Sequence, residues 1–527
     1  MGDAVLLNVV LYLPLLGIAL IVAMPEGQDD RVRRISFGVM LAQFVITALL
    51  YLRFDPSIAG LQAETNLPWI ADWGVYYRIG LDGYNVLLVL LTAFLGPLVV
   101  AGAFSAIQKD VKLFYAMVVF IQFAMLGTFV AQDLLLFYIF WETMLIPMFL
   151  IIGIWGGERR IYATVKFVLY TAFGSILMLA ALIYLVWSQY QDSGNLSFAF
   201  TDLFGTRLTV REQGWLLAAF ALSFAIKVPM VPLHTWLPDA HVEAPTTGSV
   251  ILAGVLLKMG TYGFIKLGFP LFPQASQLAM PIVMALAVIS IVYGACLALV
   301  QTDIKKIIAY SSISHLGYVM LGLASLDLLG IQGAIIQMVS HGLTAAGLFL
   351  MVGMIYERCH TRELADYGGL AKALPVYSVF FMILTLAAIG LPTTSGFTGE
   401  FLVLLGAFNA AWPLHLAGES APLVFAVIAV SGVVLGAMYM LWFAQRFLYG
   451  STRVPHGPVA DLNRREKLIL AVLLVPVFWI GLFPDGPMRK TEGAALHFQR
   501  LVAGPPLQAT AATPPALVAK PRAEATR

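Results

Sequence analysis

Apolar residues run along this chain in long blocks separated by short polar stretches, and the block lengths set the reading. A helix crossing a hydrocarbon layer about 30 Å thick needs about 20 apolar residues. Blocks of that size lie near 4–24, 35–53, 81–106, 112–130, 133–154, 162–188, 214–235, 246–268, 276–300, 307–325, 329–356, 377–409, 422–446 and 466–484. They predict an all-α polytopic membrane protein of about 14 transmembrane helices. Two of these helices should be broken. Pro229 and Pro232 interrupt the seventh block, and the segment PTTSGFTGE from Pro392 to Glu400 interrupts the twelfth. Proline removes a backbone donor, and such a break survives in a membrane only where protein or a water-lined cavity takes up the freed groups. The loop between the second and third blocks carries Trp69, Trp73, Tyr76 and Tyr77, an interfacial aromatic cluster. From Gly486 the chain is no longer membrane-grade. Its Pro- and Ala-rich end predicts mobility over the last twenty or so residues, because little apolar surface is available to offset ordering entropy.

Composition agrees with the pattern. The 527 residues are 60% hydrophobic and 11% charged, with a mean hydropathy of +0.87, whereas soluble proteins carry about 25% charge. A net charge of +2 gives no reason to expect nucleic acid. Two cysteines, Cys296 and Cys359, make a disulfide framework or a zinc or iron-sulfur site an unsuitable reading. No basic stretch precedes the first block, so a cleaved secretory signal is not expected. Lys and Arg in alternate loops number 18 on one side and 5 on the other before the tail, which puts both termini outside the cytoplasm. With no Gly-rich phosphate loop, dinucleotide fingerprint or nucleophile elbow, the chain should bind no nucleotide or flavin.

Chemistry enters with the ionisable residues inside the blocks. A charged side chain at the centre of a spanning helix costs about 3 kcal/mol on insertion scales, so it usually faces a polar interior and acts there. Lys227 and Lys258 sit in apolar sequence on either side of a turn rich in Pro, His and Asp. Glu142 lies one turn beyond Tyr138 on the same helical face. A buried carboxylate and a buried ammonium shift each other's proton affinity, and a pair of variable separation can therefore drive proton release. Lys258, with Gly254 and Tyr262 one turn away, is too central to snorkel. His315, near Ser311, Ser312 and Tyr318, and His341, near Gln337 and Thr344, can relay protons because imidazole titrates near neutrality. Glu142, Lys227, Lys258, His315, His341 and Glu400 thus form a series across successive helices. The turn residues His234, Asp239, His241 and Glu243 read as a polar cap or proton entrance in preference to a metal site.

The intramembrane charges also suggest a repeat. Glu142 to His315 spans 173 positions, as does Lys227 to Glu400. An inverted pair of five-helix units, helices 4–8 and 9–13, follows. The chain then divides into residues 1–110 (helices 1–3), 111–270 and 271–447 (the two units), 448–485 (the last helix) and 486–527 (the tail). The agreement is partial, because Lys258 would map onto Ser431 and Pro229 and Pro392 differ in offset.

The run KVPMVPLHTWLPDAHVEAPTTGSVILAGVLLKMG, together with FWETMLIPM, DIKKIIAYSSISHLGYV and SGFTGEF, strongly resembles the antiporter-like, proton-translocating membrane subunits of respiratory complex I. It is similar also to multisubunit sodium/proton antiporters and membrane-bound hydrogenases, which supply the alternative reading. The resemblance implies that Glu142 and Lys227 form an ion pair, that Lys258 is the central proton carrier, that His315 and His341 connect it onward, and that Glu400 is the terminal residue toward the periplasm. Sister chains tend to carry Lys at the last position, so Glu400 discriminates within the family. The resemblance further implies a bacterial inner-membrane location and neighbouring antiporter-like chains and lipids as partners. NADH oxidation, FMN, iron-sulfur clusters and quinone reduction are implied for other subunits, with no cofactor or metal in this chain. A carrier of small organic solutes would need a substrate pocket at the broken helices, where the sequence offers a line of charges. A passive scaffold would have no reason to bear their insertion cost.

Overall fold

The computed structural model describes residues 2–58, 60–455 and 457–503. Helices α1 (Asp3–Ala23) and α2 (Asp29–Arg53) lead into an antiparallel hairpin, β1 (Gln62–Ile70) and β2 (Val75–Leu81). Then come α3 (Val86–Ala106), α4 (Val111–Val130), α5 (Leu134–Thr143), α6 (Leu145–Trp155), α7 (Arg160–Ser193), the short α8 (Phe200–Leu203) and α9 (Val210–Lys227). After a break, α10 (Trp236–Glu243), α11 (Thr246–Ile251), α12 (Leu257–Gly263) and the single turn α13 (Phe269–Leu271) follow. The second half holds α14 (Pro273–Leu299), α15 (Ile304–Ala324), α16 (Leu328–Cys359), α17 (Leu370–Ala373), α18 (Pro375–Ala388), α19 (Ser395–Leu416), α20 (Ala421–Leu448), α21 (Arg464–Leu482) and α22 (Asp485–Ala503).

Among the described residues, twelve helices are long and apolar enough to cross a membrane, with α5–α6 and α11–α13 each counted as one. The other two spans read from the sequence are α9 and α21. Helix α9 carries Arg211, Glu212 and Lys227 within its 18 residues, and α21 bends by 70° into α22. Both helices expected to be broken are broken. In the twelfth, however, the interruption is residues 389–394, and Ser395 already opens α19, so Glu400 sits in regular helix beyond the break.

Local chemistry starts the helices where the polar punctuation falls. Asp133, Asp303 and Asp327 each accept two backbone N–H groups at the heads of α5, α15 and α16. Thr209 with Glu212 and Asn463 with Glu466 form capping boxes on α9 and α21. Asp133 also accepts the Tyr76 N–H from β2. Burial raises its pKa against the pull of these three donors.

Burial separates a core from a periphery. Helices α11–α13 and α16 are buried along their whole membrane windows, and α15 over 94% of its window; α1, α2, α7 and α20 keep one face open, as lipid or a partner chain requires. The innermost helices are the ones bearing Lys258, His315 and His341.

Two features depart from the all-helical expectation. The aromatic loop is a β-hairpin, with Trp69 and Trp73 on its exposed surface. Its turn closes at Gly74, where φ is +66° and an added Cβ would fall 1.8 Å from the Leu196 carbonyl oxygen, so only glycine fits there. The segment after the last span begins as a helix, α22, whose buried Pro487, Thr491, Ala494, Ala495, Phe498 and Val502 lie along one face, packed against α14 and α16. The mobility expected of the last residues falls outside the described residues.

Candidate functional site

Lys258 is held on α12 between two turns of π-helix, Leu252–Leu256 and Phe264–Gly268. Such bulges shift the side chains beyond them around the helix axis and are frequent at functional sites. Its ammonium is fully buried, donates to the Ala253 carbonyl, and lies 2.7 Å from His341 Nδ1. The His341 ring centroid is 5.6 Å from that of His315. His315 Nδ1 is in turn 2.7 Å from Glu400 Oε1. Four of the six predicted residues therefore form one line, from α12 through α16 and α15 to α19, with each side chain less than 10% exposed.

The line has a single interval without a hydrogen bond, between the two imidazoles, and His341 Nε2 has no partner there. Gln337 donates to Glu400 Oε1 at 2.9 Å and leaves its own Oε1 unsatisfied. His315 Nε2 lies 3.3 Å from the Tyr439 hydroxyl. Unpaired buried polar atoms are rare because each forfeits its water hydrogen bonds. Two of them, His341 Nε2 and Gln337 Oε1, belong to this line.

Glu142 and Lys227 stand apart. Lys227 ends α9 at the break and is 1% exposed; its Nζ has no hydrogen-bond partner and lies 5.3 Å from the Trp141 ring and 5.6 Å from the Phe167 ring. Glu142 is partly buried one residue along from Trp141, and its Oε1 also lacks a partner. No salt bridge within 4.0 Å joins the two, so the structure shows neighbours sharing one tryptophan and not the expected contact pair.

The polar turn is dispersed. Asp239 pairs with Lys166 at 2.7 Å, and Glu243 accepts the Arg159 N–H at 2.9 Å. His234 meets the Tyr293 ring edge-on at 5.8 Å. His241 stacks on Phe349 at 4.6 Å with both ring nitrogens unsatisfied. Beside Glu243, a cavity of about 190 Å³ includes Lys305 and Arg362 in its lining.

Several neighbours are not the ones spacing suggested. Ser311 and Ser312 bond back to the Ile308 carbonyl, and Tyr318 donates to the Ala429 carbonyl, so none of the three serves His315. Tyr439 does, from 124 residues away, a distance over which sequence carries no signal. Gln337 lies one turn from His341 on α16 yet bonds to Glu400.

Residues 131–442 match the family model described as NADH:quinone oxidoreductase/Mrp antiporter, TM. The chain is 43% identical to the NADH-quinone oxidoreductase subunit M of Rhodobacter capsulatus over 91% of its own length and 93% of the relative. It is 41% identical to the NADH-ubiquinone oxidoreductase chain 4 of Marchantia polymorpha, covering 91% and 94%. Its fold matches a chain of respiratory complex I from Thermus thermophilus with a TM-score of 0.83 and 32% identity, covering 94% of this chain and 99% of that one.

Proposed function

The chain belongs to the transmembrane family of NADH:quinone oxidoreductase and Mrp antiporter subunits, and from that premise we propose that its buried row carries protons across the membrane. It is an antiporter-like, proton-pumping membrane subunit of an NADH-quinone oxidoreductase, corresponding to the component called subunit M or chain 4 in its relatives. Its partners are the other membrane subunits of that complex, in the membrane of a respiratory chain. FMN, iron-sulfur clusters and quinone are assigned to partner subunits, as membership of this family implies.

The observation that carries the residue assignment is the line Lys258, His341, His315, Glu400, built from two 2.7 Å contacts, one between the fully buried α12 and α16 windows and one from α15 to the buried Glu400 of α19. Lys258 is the central carrier. His341 and His315 pass the proton, their open interval of 5.6 Å between rings being wide enough for a bridging water. Glu400 releases it on the side where both termini are placed by the loop charges. Glu142 and Lys227 set the proton affinity of Lys258 by approaching or separating, in step with quinone reduction elsewhere. The inverted repeat fits the two broken helices, although Lys227 precedes its break and Glu400 follows its own.

The test is to purify the tagged assembly from its native membrane and measure NADH:quinone activity and proton uptake in liposomes. Coupled activity in the wild type, with pumping lost on Glu142→Ala and assembly retained, is expected. Normal coupling in an assembled Glu142→Ala complex overturns the residue assignment. An assembly free of redox subunits that moves protons against sodium overturns the complex I reading.

A further inference from the structure

Away from the proton row, α2 and α21 both lean on α3 and leave a groove between them. It is seen as two adjoining cavities of about 400 and 270 Å³ that share Phe44, Phe94 and Val472. The sequence shows how it is built. On α2, Arg34, Phe37, Leu41, Phe44, Ala48 and Leu52 recur at three- and four-residue spacing and share one face. On α21, Arg465, Ile469, Val472, Pro476 and Trp479 do the same. Each wall is thus an apolar stripe headed by one arginine, and both arginines stand at the same end of the groove.

Arg465 is the one polar residue lining the second cavity. Its guanidinium donates to Ser105 Oγ at 2.8 Å and lies 5.7 Å from the Phe104 ring, but its Nε is buried without a partner. Glu357 accepts that hydroxyl and is close enough for its charge to act on Arg465, but makes no bond to it and does not line the groove. Arg34 is exposed one turn before Phe37. At the opposite end Tyr51 and Trp479 meet edge-on at 6.3 Å, and Lys490 lies 4.8 Å from the Tyr51 ring. Aromatic rings beside a cation mark the level of the second headgroup layer. From Arg465 to Trp479 the helix rises about 21 Å, at 1.5 Å per residue. The groove therefore runs from one headgroup region through the hydrocarbon, with apolar walls and a cationic head.

We propose that this groove is a specific site for an anionic phospholipid, one acyl chain lying over Phe94 between the α2 and α21 stripes and the phosphate taken by Arg465 and Arg34. The phosphate supplies the acceptor that Arg465 Nε lacks. A zwitterionic lipid brings its own ammonium to the same arginines and gains less. A protein helix filling the groove would leave both arginines without an anion unless it ended on one there.

The experiment uses the intact complex in liposomes containing phosphatidylglycerol or phosphatidylethanolamine with a diazirine on the acyl chain, with photo-adducts located by peptide mass spectrometry. Adducts with phosphatidylglycerol are expected on α2, α3 and α21 around Phe44, Phe94 and Val472, above the level on the exposed face of α7. The double variant Arg34→Gln, Arg465→Gln should lower occupancy about thirty-fold, at about tenfold per 1.4 kcal/mol and near 1 kcal/mol per basic residue. Ala48→Trp, which fills the groove and keeps the arginines, should remove the adducts as well, and serves if the double variant does not assemble. Equal labelling by the two lipids, no enrichment over α7, or a groove that becomes accessible only after neighbouring chains are stripped away each overturns the proposal.

Discussion

Replacing Lys227 by Met separates a working ammonium from a structural one, because the two roles predict opposite signs for stability. The wild-type Nζ is 1% exposed and makes no hydrogen bond; the Trp141 and Phe167 rings, at 5.3 and 5.6 Å, face its charge, and the Glu142 carboxylate acts on it from beyond hydrogen-bond range. Contacts at that range return about 1–2 kcal/mol each at most. Removing an ammonium from water costs several kcal/mol even after relaxation, and placing it at mid-membrane costs about 3 kcal/mol on insertion scales. Burial outweighs the rings, so the charge lowers stability where it stands. Methionine has similar length, fills the space and brings no charge. Lys227→Met should therefore assemble as well as the wild type and gain about 1–3 kcal/mol in resistance to thermal dissociation. Its NADH-driven proton uptake in liposomes should fall at least about tenfold, which corresponds to about 1.4 kcal/mol on the limiting step. Thermal dissociation followed by native gels, with fluorescence quenching for proton uptake, reads both quantities on one preparation. Full pumping in the assembled variant refutes the role of Lys227. Loss of assembly that Lys227→Arg restores refutes the energetic reasoning, since it would make the charge a net stabiliser.

Other outcomes follow from the same geometry. Glu400→Ala strands His315 Nδ1 and Gln337 Nε2 in a buried site and should cost about 2–4 kcal/mol as well as pumping; Glu400→Gln keeps an acceptor for both, so it should assemble normally and still fail to pump. Arg358 makes two bonds to Glu466, at 2.7 and 3.0 Å, and also serves the Met354, Ala460 and Asp461 carbonyls; Arg358→Ala leaves the buried Glu466 charge with only the Asn463 N–H and should cost about 3–5 kcal/mol of stability, read as less assembled complex on native gels. Gly260→Ala would put a Cβ 2.7 Å from the Phe224 carbonyl oxygen where α12 crosses α9, and should lower thermal stability by about 1–3 kcal/mol with the redox subunits intact.

Block length and intramembrane charge make the spans legible and single out six ionisable residues, four of which the structure joins in one line, because lipid enforces both rules strictly. Distance hid the connections. Nothing in the spacing of His315, Glu400 and Tyr439 says that they meet, since helix order around a bundle is not written in any one helix. The π-helical turns flanking Lys258 also left no trace, their residues being as apolar as those of an ordinary helix. The hairpin gives no strand signal because β1 is exposed or half-exposed throughout while β2 is buried at both ends, so neither strand shows the alternation that marks a half-buried strand. Helix α22 was legible and passed over. Its Thr491, Ala494, Ala495, Phe498 and Val502 recur at helical spacing, a signal that membrane-grade composition does not register because the opposite face is polar.

The separation of Glu142 and Lys227 from the rest of the row bears on how such a protein avoids becoming a leak. A hydrogen-bonded series open at both ends conducts protons down their gradient whatever the redox enzyme does, so a pump needs at least one link made only at a chosen moment. Lys258, His341, His315 and Glu400 are nearly continuous, with one interval of 5.6 Å between rings. Lys227 instead ends α9 where the helix breaks, unbonded, with Trp141 between it and the segment that bears Glu142. Lys227 Nζ makes no hydrogen bond at the break, whereas Lys258 and His341 on α12 and α16 are bonded to each other. On the roles proposed above, control of the link belongs at Lys227 and conduction at Lys258, His341, His315 and Glu400. On that division, Trp141→Ala, which removes the ring beside Lys227 Nζ while leaving every bond of the Lys258, His341, His315 and Glu400 line in place, should preserve assembly and quinone reduction and lower the number of protons moved per NADH oxidised. An unchanged proton-to-electron ratio in that variant would return control to the interval between the two histidines.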